Sequence, residues 1–255
     1  MRKSLLALAV LGTLNSGLTY AEEAAPAKAE TPAYTIAYNV GLFSQYIFRG
    51  LTQTGGHPAI QGGIDFTHSS GFYAGAWGSN ISWLEDGHYY SSSSMELDLY
   101  GGYRNTIKDV TYDVGLLQYV YPGRVVSGQR AETTELYGSL AYKWVSGKLS
   151  YIVSNGAWGA HDQQGTYYAD LTANYPLTDT ITLTAHVGRQ EFDKNIGGVD
   201  ASYTDWKLGA AKAFADGVTV GAYYTDTNGS AAAWGAYDGG NIATATGTVF
   251  VQKTF

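Results

Sequence analysis

The chain has 255 residues, of which 45% are hydrophobic and only 15% charged, with no cysteine and a formal charge of −7. An acidic balance argues against a nucleic-acid partner, which needs a basic face, and the lack of cysteine excludes disulfides, thiolate chemistry and cysteine-held metal. High Gly (33) and Tyr (22) with little charge fits a β-barrel better than a disordered chain.

The chain starts with the basic Met1-Arg2-Lys3, continues with the short apolar run from Ser4 to Leu14, and reaches small residues at Thr19 and Ala21. This pattern predicts a secretory signal peptide over 1–21, whose loss would take the formal charge from −7 to −9. The run is too short to span a bilayer as a helix, and no later segment approaches the roughly 18 apolar residues needed. A membrane protein of this sequence must therefore be a barrel. Residues 22–33, rich in Ala, Glu and Pro, predict a flexible periplasmic lead-in, and 34–255 the barrel itself.

The first predicted strand runs from Tyr34 to Arg49. Its even positions (Tyr34, Ile36, Tyr38, Val40, Leu42, Tyr46, Phe48) are apolar, while Asn39, Gln45 and Arg49 lie on the opposite file. That is the period of a strand. Phe43 and Ile47 fall on the polar file, marking where the strand leaves the bilayer or bulges. Ile60, Ile64 and Phe66 then alternate with Gln61 and Asp65. Tyr73 to Trp83 sets Tyr73, Trp77, Ile81 and Trp83 against Ala74, Ala76, Asn80 and Ser82. Met95, Leu97, Leu99 and Tyr103 oppose Glu96, Asp98, Tyr100 and Arg104, and after a turn at 105–109, Val110 to Val120 puts Asp113 and Tyr119 on its polar side. Leu136, Leu140, Tyr142 and Trp144 oppose Glu135, Tyr137 and Lys143, with a turn at 145–147. Further strands run through Leu149 to Val153, Tyr167 to Tyr175 (Asp170 opposed), Ile181 to Val187 (His186 opposed), Asp205 to Phe214 (Asp205 and Lys207 opposed) and Val218 to Tyr224. The last strand spans Ala243 to Phe255 and is expected to pair with the first.

These elements predict an all-β, 12-stranded antiparallel up-and-down transmembrane β-barrel. Short and long links alternate, as in outer-membrane barrels with short periplasmic turns, which puts both termini in the periplasm. All five prolines fall outside strand interiors, where a missing N–H would break a ladder. A soluble barrel would have to bury twelve strands of large side chains and would leave charges such as Asp98 on a wet exterior; the membrane reading turns the apolar face out to lipid. Tyr34, Tyr46, Trp83, Tyr103, Trp144, Tyr175 and Trp206 then form interfacial girdles.

The predicted pore lining is Asn39, Gln45, Arg49, Gln61, Asp65, Asn80, Glu96, Asp98, Tyr100, Arg104, Asp113, Tyr119, Glu135, Tyr137, Lys143, Asp170, His186, Asp205 and Lys207, with Lys148 a further inward charge. One reading is a mildly acidic aqueous pore that favours neutral or cationic solutes. The other is that the charges pair across the barrel and plug it. Tyr100, Tyr119, Tyr137, Tyr168 and Tyr223 either stack a flat solute or fill space. An outer-membrane barrel hydrolase would need a Ser beside a His, and only His186 lies within a predicted strand. His57, His68, His88 and His161 lie in links without metal-ligand spacing, so neither a metal nor a cofactor is expected. A third possibility is an adhesin or structural barrel acting through loops such as Asn228 to Asn241.

The stretch Ser44-Gln45-Tyr46-Ile47-Phe48-Arg49-Gly50-Leu51-Thr52-Gln53, followed by Pro58-Ala59, Gln61-Gly62-Gly63-Ile64-Asp65, Ser70-Gly71-Phe72-Tyr73, Gly75, Trp77, Ser79 and Asn80, resembles the TorF family of Gram-negative outer-membrane porins. Weaker likeness lies in Glu96 to Tyr103 and Tyr121-Pro122-Gly123. The resemblance implies insertion in the outer membrane and a porin role, without a known substrate or catalytic residues. Terminal Phe255 looks like the signal that barrel-assembly machinery recognises. The expected partners are therefore outer-membrane lipid, that machinery and small hydrophilic solutes.

Overall fold

The structure, a computed structural model, describes residues 32–255 apart from 127, 129, 236 and 239. The expected signal peptide and all but the last two residues of the lead-in lie outside the described residues. The chain forms β1 (Tyr34–Phe43), a small hairpin of β2 (Ile47–Phe48) and β3 (Leu51–Thr52), then β4 (Ala59–His68), β5 (Phe72–Asn80), β6 (Met95–Ile107), β7 (Val110–Val120) and β8 (Thr133–Tyr142). It continues through β9 (Val145–Ile152), β10 (Tyr167–Pro176), β11 (Ile181–Glu191), β12 (Tyr203–Ala213), β13 (Val218–Thr227) and β14 (Thr246–Thr254). All strands except β2 and β3 pair antiparallel with their sequence neighbours, and β1 pairs with both β4 and β14, so twelve strands close a barrel. Closure leaves no unpaired edge.

Side-chain alternation holds around the wall. Leu42, Leu99, Leu116, Leu140, Leu171, Leu208 and Val249 all point outward and are exposed, whereas Glu96, Asp98, Asp113, Glu135 and Asp205 point inward and are buried. An exposed apolar surface of this extent needs a covering. The inward face is built from aromatic side chains laid over glycines. A Cβ at Gly75 would collide with the ring of Tyr100, and one at Gly188 with that of Tyr168. Only a residue without a side chain lets these rings lie against the wall.

β1 ends at Phe43, six residues short of the predicted Arg49, because the chain then leaves the wall and turns into the barrel. Tyr46 is consequently buried among interior residues and belongs to no girdle. In β5 the predicted faces are exchanged. Trp77 pairs with Gly63 and Asp98, which are inward positions, and Ala76 pairs with Ile64 and Leu99, which are outward. Opposite residues in a ladder share a face, so Tyr73 and Trp77 point in. β5 stops at Asn80, and Trp83 opens the short helix α1 (Trp83–Asp86) in the following loop, where it is buried. The predicted turn at 105–109 shrinks to two residues, Lys108 and Asp109. The turn between β8 and β9 falls at Lys143 and Trp144, earlier than predicted, with Lys143 in the left-handed conformation. Long loops at one end, one of them carrying α2 (Ala231–Trp234), face short turns at the other, where β1 begins and β14 ends.

Candidate functional site

The barrel interior is divided by the inward segment 44–58. Its tip is a two-residue hairpin turn, with Arg49 and Gly50 both at positive φ (47° and 80°) between the paired Phe48 and Leu51. Such a mirror-image turn suits the right-handed twist of a hairpin, and glycine takes its second position without steric cost. The segment is tied to the wall and to the loops at several points. Gln45 Nε2 donates to Thr246 Oγ1 at 2.7 Å and to the Gly247 carbonyl at 3.0 Å. The Thr52 amide donates to the Ile242 carbonyl at 3.0 Å, and the Gln53 carbonyl accepts from the Ser82 amide at 2.8 Å.

Arg49, 4% exposed, crosses to the far wall. Its Nη2 lies 2.8 Å from Glu135 Oε2, and its Nη1 donates to Gln190 Oε1 at 2.9 Å. The guanidinium sits over the rings of Phe48, Trp158 and Tyr168, at 4.7, 5.5 and 4.4 Å from their centroids. Arginine suits this place because it stays charged and its planar head can stack and donate at once. Tyr46 donates to Glu96 Oε1 at 2.7 Å. Burial, and then the charges of Glu96 and Asp98, push the Tyr46 phenol well above its usual range, so it remains a donor.

Nearer the short-turn end the interior holds a second set of contacts. Tyr100 donates to Asp65 at 2.6 Å, Tyr73 to Asp113 at 2.6 Å, and Arg104 forms a two-point contact with Asp113 at 2.7 and 3.0 Å. Level with the hairpin tip, Tyr168, opposite Gln190 in the ladder, donates to Asp205 Oδ2 at 2.9 Å. His186 places Nε2 2.9 Å from the Tyr168 hydroxyl and 3.2 Å from Asp205 Oδ1, and Nδ1 2.8 Å from Thr172 Oγ1. Among the described residues, neither ring nitrogen of His186 meets a serine. Lys148 and Lys207 lie over the rings of Tyr137 and Tyr223, at 4.5 and 5.3 Å. A cavity of about 40 Å³ remains under the hairpin, lined in part by Arg49, Gln61, His186, Asp205, Lys207 and Tyr223.

The wall brings Asn39, Gln61, Asp65, Glu96, Asp98, Tyr100, Arg104, Asp113, Tyr119, Glu135, Tyr137, Asp170, His186, Asp205 and Lys207 to its inward face, as the ladder registers require. Gln45 and Arg49 also lie inside, carried by the inward segment and not by a strand. Two residues of the predicted lining lie elsewhere. Asn80 is opposite outward-facing Met95, and its amide bonds the Ile60 amide and the Pro58 carbonyl, pinning a strand end. Lys143 is exposed in its turn, with its ammonium 5.2 Å from the Tyr142 ring centroid. Sequence reasoning missed Trp77, Trp158 and Gln190 as interior residues. For Trp77 a signal existed, since Gly63 and Gly75 stand ready to accommodate inward rings.

A family model described as "Bacterial protein of unknown function (Gcw_chp)" matches residues 26–255. No curated protein matches the chain. Among solved structures, the KdgM porin in complex with disordered oligogalacturonate is similar at 9% identity and TM-score 0.52, covering 86% of this chain and 98% of its own. The NanC porin is similar at 10% identity and TM-score 0.52, covering 87% and 99%. The COG4313 outer membrane channel from Pseudomonas putida F1 is similar at 13% identity and TM-score 0.50, covering 91% and 100%. At such identities the likeness is one of fold.

Proposed function

The chain belongs to the Gcw_chp family of bacterial proteins of unknown function, and we propose that it is an outer-membrane channel for passive diffusion of small hydrophilic solutes. The observation that carries this reading is the closed wall of twelve strands, apolar outside and charged inside. Lipid covers such an exterior, and a water-filled interior solvates inward charges. Porins and channels with the same fold support the reading, as does the resemblance of Ser44 to Asn80 to the TorF porins, the group to which we assign the chain. The termini are taken to be periplasmic and the long loops external, with Phe255 engaging the assembly machinery.

The passage is narrow, because eight strands are filled by side chains and sixteen leave an open channel, and here the inward hairpin takes up part of the interior. Seven inward acids (Asp65, Glu96, Asp98, Asp113, Glu135, Asp170 and Asp205) face four inward bases (Arg49, Arg104, Lys148 and Lys207), which favours neutral and cationic solutes over anions. No enzymatic activity is assigned. Conductance of the refolded protein in a planar bilayer tests the proposal: small steps with a cation-selective reversal potential are expected, and silence from folded, heat-modifiable protein overturns it.

The contact of Arg49 with Glu135 and Gln190 favours a second reading, in which the interior is permanently plugged and the barrel serves as an adhesin or structural element through its external loops. Deleting residues 229–240 separates the two: loss of cell adhesion on deletion, from a barrel that is silent in the bilayer both before and after it, would indicate the second.

A further inference from the structure

Asp205 and Lys207 stand two apart on β12, so both point inward, and both line the cavity under the hairpin. Opposite charges so placed commonly pair, yet here each is drawn away from the other. Asp205 accepts from Tyr168 at 2.9 Å and lies 3.2 Å from His186, on the β10 and β11 side. Lys207 leans the other way, over the Tyr223 ring of β13, and makes no ion pair among the described residues. A carboxylate offers about four lone-pair sites, so Asp205 keeps accepting capacity, and the Lys207 ammonium keeps its three donors.

We propose that this separated pair forms a subsite for small zwitterions, the class that includes α-amino acids, on the solute pathway. The inference rests on the channel reading above. A free anion gains Lys207 but meets Asp205, and a free cation gains Asp205 but meets Lys207 and Arg49. A zwitterion sets an opposite charge against each, which makes the discrimination one of attraction and repulsion together. The size restricts the solute: one water needs about 10–15 Å³ of such space, so a cavity of about 40 Å³ has room for roughly three waters and admits only a small solute.

The test is uptake of labelled glycine into proteoliposomes of the full barrel, beside the anion glycolate and the neutral glycolamide, which are of similar size. Glycine is expected to enter faster than either by about threefold or more, the scale of one modest charge contact. Asp205→Asn and Lys207→Gln are each expected to bring the glycine-to-glycolamide ratio close to one. Measuring a ratio removes differences in insertion, and should a variant admit no glycolamide, the wild-type ratio alone decides. Equal entry of all three solutes, or faster glycolate, overturns the subsite and leaves the channel standing. Exclusion of all three from folded barrels overturns the channel, and the subsite with it.

Discussion

Arg49 and Glu135 meet across the barrel interior, with Nη2 of the arginine 2.8 Å from each carboxylate oxygen, although 86 residues separate them in the chain. The contact fastens the inward hairpin to the opposite wall. A buried ion pair is poor evidence of net stabilisation, but removing one partner leaves the other charge stranded.

Arg49→Ala is therefore expected to release the hairpin tip, with a local cost of about 3–5 kcal/mol. The barrel wall does not depend on this contact, so heat-modifiable migration should persist while single-channel conductance rises severalfold. An unchanged conductance in the folded variant would mean that the hairpin does not limit flow.

Gly188 lies beneath the Tyr168 ring, and a methyl group there has no room. Gly188→Ala should destabilise the refolded barrel by about 1–3 kcal/mol, the range of overpacking in a filled interior. Adding Tyr168→Ala should recover part of the loss in urea titrations, because the two positions are in contact. A strictly additive pair would argue against the ring lying over the glycine.

The exchanged faces of β5 predict opposite responses at two positions three residues apart. Ala76→Arg puts a charge on the outer surface and should cost about 2–4 kcal/mol if it lies near the bilayer midplane. Ser79→Arg, on the inward face, should cost less and should shift ion selectivity instead. Folding free energies in phospholipid vesicles, with reversal potentials, distinguish these outcomes.

The excess of inward acids predicts a reversal potential on the cation side in a salt gradient. Asp65→Asn and Asp170→Asn should each move it towards zero, with the effect shrinking as ionic strength rises and screening shortens to about 3 Å near 1 M. An unmoved reversal potential would place those carboxylates outside the ion path.

Local periodicity, written in the residues of each segment, controls the strand pattern. Alternation along Met95 to Arg104 and Ile181 to Val187, and the rhythm of short and long links, were enough for twelve antiparallel strands and for the inward placement of most charges, since a strand's two faces are set by its own period of two. The ladder registers decided β5, where aromatic Tyr73 and Trp77 alternate with small Ala74 and Ala76, and either file can face out until Gly63 and Asp98 are known to lie opposite Trp77. The inward hairpin was less visible still. Its alternation continues through Tyr46 and Phe48 as a wall strand's would, and only Phe43, Ile47 and the Arg49-Gly50 pair disturb it. What turns the segment inward is a set of partners far along the chain, among them Glu135 and Gln190, at separations of 86 and 141 residues. A buried guanidinium needs those partners to offset its desolvation, and only closure of the barrel brings them within reach.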